Sequence, residues 1–160
     1  MDQLDEYNVF IDKGKDPTIP PGYKRIRTHL IYDIKHDGRH KARCVADGHL
    51  TDVPIDSVYS GVVSLRGLRI MLFLSELNKL EIWATDIGTA YLEARTSEKV
   101  YIIAGLEVGE KTGSTLIVYK ALYGLRSSGA RWHDKFSDDL RDMGFSACVA
   151  EPDIWMKEID

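Results

Sequence analysis

Cysteine is scarce in this chain. Among 160 residues only Cys44 and Cys148 occur, far apart and in no Cys-x-x-Cys spacing. That argues against a disulfide framework and a thiolate zinc site, and it fits reduced thiols inside a cell. The five histidines (His29, His36, His40, His49 and His133) form no His-x-x-x-His pair, so the helical zinc signature is missing as well. No apolar run approaches the ~20 residues that a membrane helix needs. The opening Met1-Asp2-Gln3-Leu4-Asp5-Glu6 is acidic and holds no apolar core for a signal peptide. These absences predict an intracellular protein, in cytoplasm or nucleus, without a membrane partner. Excess positive charge is lacking too. The net charge is −4, so any nucleic-acid binding has to come from local patches.

What is present fits one domain. The chain is long enough to bury a core, and its 44% apolar and 29% charged residues are ordinary for a globular protein. Residues 1–21 are polar and end in Pro20-Pro21, before Gly22, so they read as an irregular lead-in. Residues 22–160 form the predicted domain. Arg25 to Ile34 is β-rich, Asp37-Gly38 is a tight-turn signal, and Lys41 to Ala46 returns as a second strand. This hairpin concentrates Lys24, Arg25, Arg27, Lys35, Arg39, Lys41 and Arg43 on an acidic chain. A solvated strand face and a phosphate-contacting face both fit that charge.

Residues 48–63 read as a loop. Ser64 reads as an N-cap for a helix over about 65–78, apolar over most of its surface and expected to pack in a core. Lys99 to Ile103 and Thr115 to Tyr119 read as strands joined by a loop with Gly105, Gly109 and Gly113. That glycine spacing matches no phosphate-binding cradle. Trp132, Phe136, Leu140 and Met143 recur on one face of a helix over about 128–143, with Gly144 ending it. Short strand-like pieces follow on either side of Glu151-Pro152-Asp153.

The stretch that organises the chain is Leu80 to Ala94. An apolar run, Leu80-Glu81-Ile82-Trp83-Ala84, leads to a lone acid, Asp86. It reads as a buried strand ending in a carboxylate at the sheet's rim. There an acid can hold a divalent cation, or merely cap the following turn.

Asp86-Ile87-x-x-Ala90-Tyr91-Leu92, then Glu98-Lys99-Val100-Tyr101 and Ala121-Leu122-Tyr123-Gly124-Leu125-Arg126, resembles the reverse transcriptase of copia-type retrotransposons. Lys41-Ala42-Arg43-Cys44-Val45-Ala46-Asp47-Gly48 resembles that family's fingers motif. The four pieces stand in the family's order, and the likeness runs from about Gly22 to Trp155. It implies an α+β fold: the fingers and an incomplete palm of a right-hand polymerase, mostly antiparallel sheet with packed helices. It implies metal-dependent nucleotidyl transfer, an RNA or DNA primer–template, deoxynucleoside triphosphates and Mg2+. Asp86 would be a catalytic metal ligand, with the Ile87 carbonyl beside it. Lys41 and Arg43, the amides of Ala90 and Tyr91, and Tyr123 with Gly124 would surround the nucleotide. The Tyr91 ring would exclude a ribose 2′-hydroxyl. Arg126 would meet nucleic acid.

The chain departs from the family pattern in two places. Ser127-Ser128-Gly129 stands where many relatives have Gln-Ala-Pro. No Tyr-x-Asp-Asp turn occurs, and the Asp138-Asp139 pair lies inside the amphipathic helix. Two of the three expected carboxylates are therefore absent. The expectation is an N-terminal piece of a polymerase, inactive by itself, whose polyprotein partner continues beyond residue 160. The rival readings are a non-catalytic nucleic-acid-binding or interaction module from a decayed element, and a small α+β protein in which Asp86 caps a turn.

Overall fold

The computed structural model describes residues 2–53 and 58–158. In chain order the elements are α1 (Asp2–Glu6), β1 (Phe10–Asp12), β2 (Lys24–Arg25), β3 (Thr28–Ile34), β4 (His40–Ala46) and α2 (Leu65–Leu77). Then come α3 (Ala90–Glu93), β5 (Val100–Ile103), β6 (Thr115–Val118), α4 (Ser128–Asp142), β7 (Ser146–Ala147) and β8 (Trp155–Met156). They divide between two compact units, Met1–Tyr59 with Thr89–Trp132, and Ser60–Gly88 with His133–Asp160. The mixed α+β composition and the antiparallel pairing agree with the expected class.

The first unit is built on a four-stranded sheet ordered β1-β6-β5-β2. β1 and β5 flank β6 antiparallel, and β2 adds to β5 in parallel. Its core gathers Val9, Ile26, Leu92, Val100, Leu116 and Leu122 among others, with Val9 and Leu122 wholly buried. β6 is buried along its whole length, as expected of a central strand of unbroken apolar character.

Two expectations change in this unit. The first residues are not irregular: α1 and β1 lie among them, and Leu4, Tyr7 and Phe10 pack on the core. The segment is polar on average, but a few apolar positions suffice to dock it. The expected strand over residues 25–34 is two strands. Ile26 enters the core between them, and its amide donates to the Tyr101 carbonyl. The chain thereby leaves the four-stranded sheet at β2 and starts the β3–β4 hairpin. The hairpin itself matches the reading, with seven paired positions from Thr28↔Ala46 to Ile34↔His40 and Gly38 at φ +81° in the turn.

In the second unit, α2 starts as its sequence predicts. The Ser64 hydroxyl accepts from the Gly67 amide at 2.9 Å, and that hydroxyl also donates to the Glu151 carboxylate at 2.5 Å. The expected burial fails. Only Gly67 of α2 is buried, while Leu65, Phe73 and Leu77 are each more than 60% exposed. The predicted strand at 80–86 is absent as well. The segment has no regular structure, and Trp83 is 87% exposed. No described strand pairs with it, and extended backbone without a ladder partner gains nothing over other conformations. An apolar run records a tendency to be covered; the cover is a tertiary matter.

Most of α4 belongs to this unit and follows its sequence closely. Trp132, Phe136 and Leu140 are half-buried. Lys135 pairs with Asp139, and Arg141 with Asp138, each at 2.6 Å along the outer face. Gly144 takes φ +86°. Its amide donates to the Arg141 carbonyl and that of Phe145 to the Leu140 carbonyl, the paired bonds of a glycine C-cap. β7 and β8 pair antiparallel. His133 Nε2 bonds Asp153 Oδ1 at 2.6 Å.

Candidate functional site

Strand alternation puts Lys41 and Arg43 on one face of the hairpin, opposite Asp33 and Ile31 in register. Neither cation has a salt-bridge partner among the described residues, whereas Lys24 pairs with Asp52 and Arg39 with Asp37. The end of β4 is tied to the turn at 122–125, where the Ala46 amide donates to the Tyr123 carbonyl at 2.7 Å. This bond brings Tyr123 beside the hairpin.

Gly124 makes that tie feasible. It sits at φ +90°, and a Cβ there would overlap the Ala46 carbonyl oxygen and crowd Val45. Gly48 faces the same turn, and its own Cβ would overlap the Gly124 carbonyl. Glycine was expected here for close approach to a nucleotide; the approach seen is of backbone to backbone. Arg126 strengthens the same corner. Its Nε donates to the Gly48 carbonyl at 3.0 Å, and its second terminal nitrogen to that of His49 at 3.3 Å.

The residues after Asp86 add a second wall. α3 is a single turn, preceded by Thr89 at φ 54°, ψ 26°. A β-branched residue in the left-handed region is a strained backbone position. Tyr91, on α3, lies against Tyr123 with ring centroids 4.8 Å apart. By the geometry of any helix start, the Ala90 and Tyr91 amides have no acceptor within their own helix.

Lys41, Arg43, Thr89, Leu92 and Tyr123 line one cavity of about 160 Å³. Leu30, Cys44 and Leu122 complete its floor, and Gln3 and Leu4 of α1 border it. The structure thus collects Lys41, Arg43 and Tyr123 into one pocket, with the Tyr91 ring tilted against that of Tyr123. The sequence reading missed Thr89 and the contribution of α1. Neither leaves a signal, since threonine does not announce a positive φ and a five-residue helix shows no periodicity.

Asp86 belongs to the other unit and is exposed, with Ile87 beside it 42% exposed. Among the described residues, no group of three or more His, Cys, Asp or Glu side chains is placed to hold a metal ion. Asp86 supplies one carboxylate, and one carboxylate does not make a two-metal centre.

Ser127 and Ser128 are buried. The Ser127 amide and hydroxyl donate to Glu98 Oε1 at 2.9 and 2.8 Å. Ser128 Oγ donates to the Leu122 carbonyl at 2.6 Å. Ser127 and Ser128 therefore anchor the turn that carries Tyr123. Within the pocket wall, burial pushes the Cys44 thiol above its ordinary range; a hydrogen bond with Thr28 opposes this, and the Glu107 charge adds to it.

Comparison with known proteins agrees with the motifs. The model of the family described as reverse transcriptase (RNA-dependent DNA polymerase) matches residues 16–160. The chain belongs to this family. It is similar to the retrovirus-related Pol polyprotein from transposon TNT 1-94 of Nicotiana tabacum, 27% identical over 148 residues, covering 87% of this chain and 11% of that protein. It is also similar to the transposon Ty1-BL Gag-Pol polyprotein of Saccharomyces cerevisiae, 35% identical over 117 residues, covering 72% of this chain and 7% of the relative. The Ty1-DR4 Gag-Pol polyprotein of the same yeast matches with the same identity and coverage. The chain thus spans about a tenth or less of these polyproteins, and its copia-type character stands. No solved structure matches it. Among the described residues, no helix is long and apolar enough to cross a membrane.

Proposed function

We propose that residues 22–160 are the fingers and the opening part of the palm of a copia-type reverse transcriptase, with the nucleotide pocket in the first unit. Lys41 and Arg43 meet phosphates, both of the incoming deoxynucleotide and of the template strand beside it. The Ala90 and Tyr91 amides add donors beside it, the Tyr91 ring closes the space a 2′-hydroxyl needs, and Tyr123 with Gly124 borders the base. Arg126 lies close enough to the same corner to meet a template phosphate with its remaining donors. In the whole polyprotein Asp86, with the Ile87 carbonyl, is one ligand of the catalytic Mg2+, and acids from elsewhere in the polyprotein supply the others. The observation that carries this reading is the convergence of Lys41, Arg43 and Tyr123 on one cavity. The three come from two motifs some eighty residues apart that the family resemblance had linked.

The test is binding. Phosphate contacts release counterions, so affinity for a fluorescent primer–template falls steeply with salt. Lys41→Ala with Arg43→Ala should weaken it and flatten the salt dependence by about two units of slope, roughly one for each phosphate no longer neutralised. The same pair should weaken a fluorescent deoxynucleoside triphosphate. Equal binding by parent and variant, or binding indifferent to salt, sinks the proposal.

A further inference from the structure

The first unit holds a second cavity, larger than the nucleotide pocket and different in character. Its volume is about 240 Å³, and its walls are chiefly Phe10, Leu30, Ile102 and Val108. Leu30 and Cys44 are in register across the hairpin and line both cavities, so they form a common wall. An apolar cavity of about 150 Å³ stays dry and takes up benzene, so one of this size has room for a fused bicyclic ring. The Cys44 sulfur in its wall is a polarisable contact for an aromatic face.

The rim is not neutral. Glu107 lines the cavity, and its carboxylate lies over Gly105, where any Cβ would collide with it. His29, also at this cavity, is engaged with Asp47 at 3.0 Å, so it offers no unpaired cation to balance Glu107. An apolar chamber with one carboxylate at its edge suits a ring that carries a cationic or N–H donor group, and disfavours an acid.

We propose that this cavity is a binding site for a planar bicyclic aromatic amine, distinct from the nucleotide pocket. The ring fills the space between Phe10 and Val108, and its amine meets Glu107. Occupancy buries the Cys44 thiol, which gives the site a direct reporter.

The experiment follows alkylation of Cys44 by iodoacetamide in the full chain, read by mass spectrometry, with Cys148 as internal reference. Tryptamine and indole-3-acetate are the paired probes. At ten times its dissociation constant tryptamine should slow Cys44 alkylation roughly tenfold, as 1 + [L]/Kd, and leave Cys148 unchanged. Indole-3-acetate should protect far less, and Glu107→Gln should remove the difference between the two. Val108→Trp fills the chamber; once circular dichroism shows it folded, tryptamine should no longer bind it by calorimetry. Failure of tryptamine to protect Cys44, equal protection of Cys148, equal protection by the acid, or undiminished binding to folded Val108→Trp each overturns the proposal. Triphosphate binding is not a readout here, so the outcome is independent of the nucleotide reading.

Discussion

Gly124 has no room for a methyl group. Its φ of +90° already disfavours any side chain, and the Ala46 carbonyl occupies the place a Cβ would take. Gly124→Ala should therefore cost about 1–3 kcal/mol, seen as a lower urea midpoint at unchanged slope. A midpoint equal to the parent's would show that the turn at 122–125 is not held against β4. The glycine was legible as a site of close approach, but what approaches was not, because sequence names no partner. Lys41 and Arg43 were legible through charge and motif. Cys44 carries a prediction of its own. Burial raises its pKa above the ordinary 9.0, so the fold favours the protonated thiol. That contribution to stability is complete below the unfolded pKa and is lost as pH rises through the folded one. Only the thiolate alkylates, so the native chain's Cys44 profile should lie at higher pH than that of the same chain in urea. Coincident profiles would contradict it.

Among the elements, those that carry their own stabilisation were the ones the sequence revealed. The hairpin has its Asp-Gly turn, and α4 has a spaced apolar stripe, ion pairs and a glycine stop. α2 has its serine cap, although its expected burial fails. The cap is testable: Ser64→Ala removes the acceptor for the Gly67 amide and the donor to Glu151. The cost should be about 1 kcal/mol, with faster hydrogen exchange at Gly67 as the local sign. Unchanged exchange there would mean the cap contributes nothing. The segment at 80–86 was misread for the complementary reason. Its Leu80, Ile82 and Trp83 are the residues of a covered strand, yet a strand is stable only through its neighbours, and no described strand lies beside it. β1 was missed because three residues are too few to display alternation; Phe10↔Val118 and its neighbours define it through pairing alone.

At the scale of the molecule, the remaining question is which step of polymerisation this chain can perform. Its pocket has two cations that pair with no described acid and a tilted tyrosine pair beside it, and on the proposed reading it takes an anionic nucleotide. Transfer requires more. Two divalent ions about 4 Å apart activate the primer hydroxyl and steady the departing pyrophosphate, and carboxylates hold them there. Magnesium keeps most of its waters and needs one or two carboxylates together with substrate phosphates to be fixed. Asp86 is a single acid on an exposed segment, and the sequence holds no Tyr-x-Asp-Asp turn to join it. The 160-residue chain should therefore bind triphosphate yet fail to extend a primer with magnesium and deoxynucleotides. A longer stretch of the polyprotein that contains the paired acids should extend it. In that longer protein the proposed reading makes Asp86 a metal ligand apart from the contacts at Lys41 and Arg43, so Asp86→Asn should abolish extension with triphosphate binding retained. Tyr91→Ala should admit ribonucleotides, because the proposed reading sets that ring where a 2′-hydroxyl would lie. Primer extension by the short chain, abolished by Asp86→Asn, would show that one carboxylate suffices and that the metal argument is wrong.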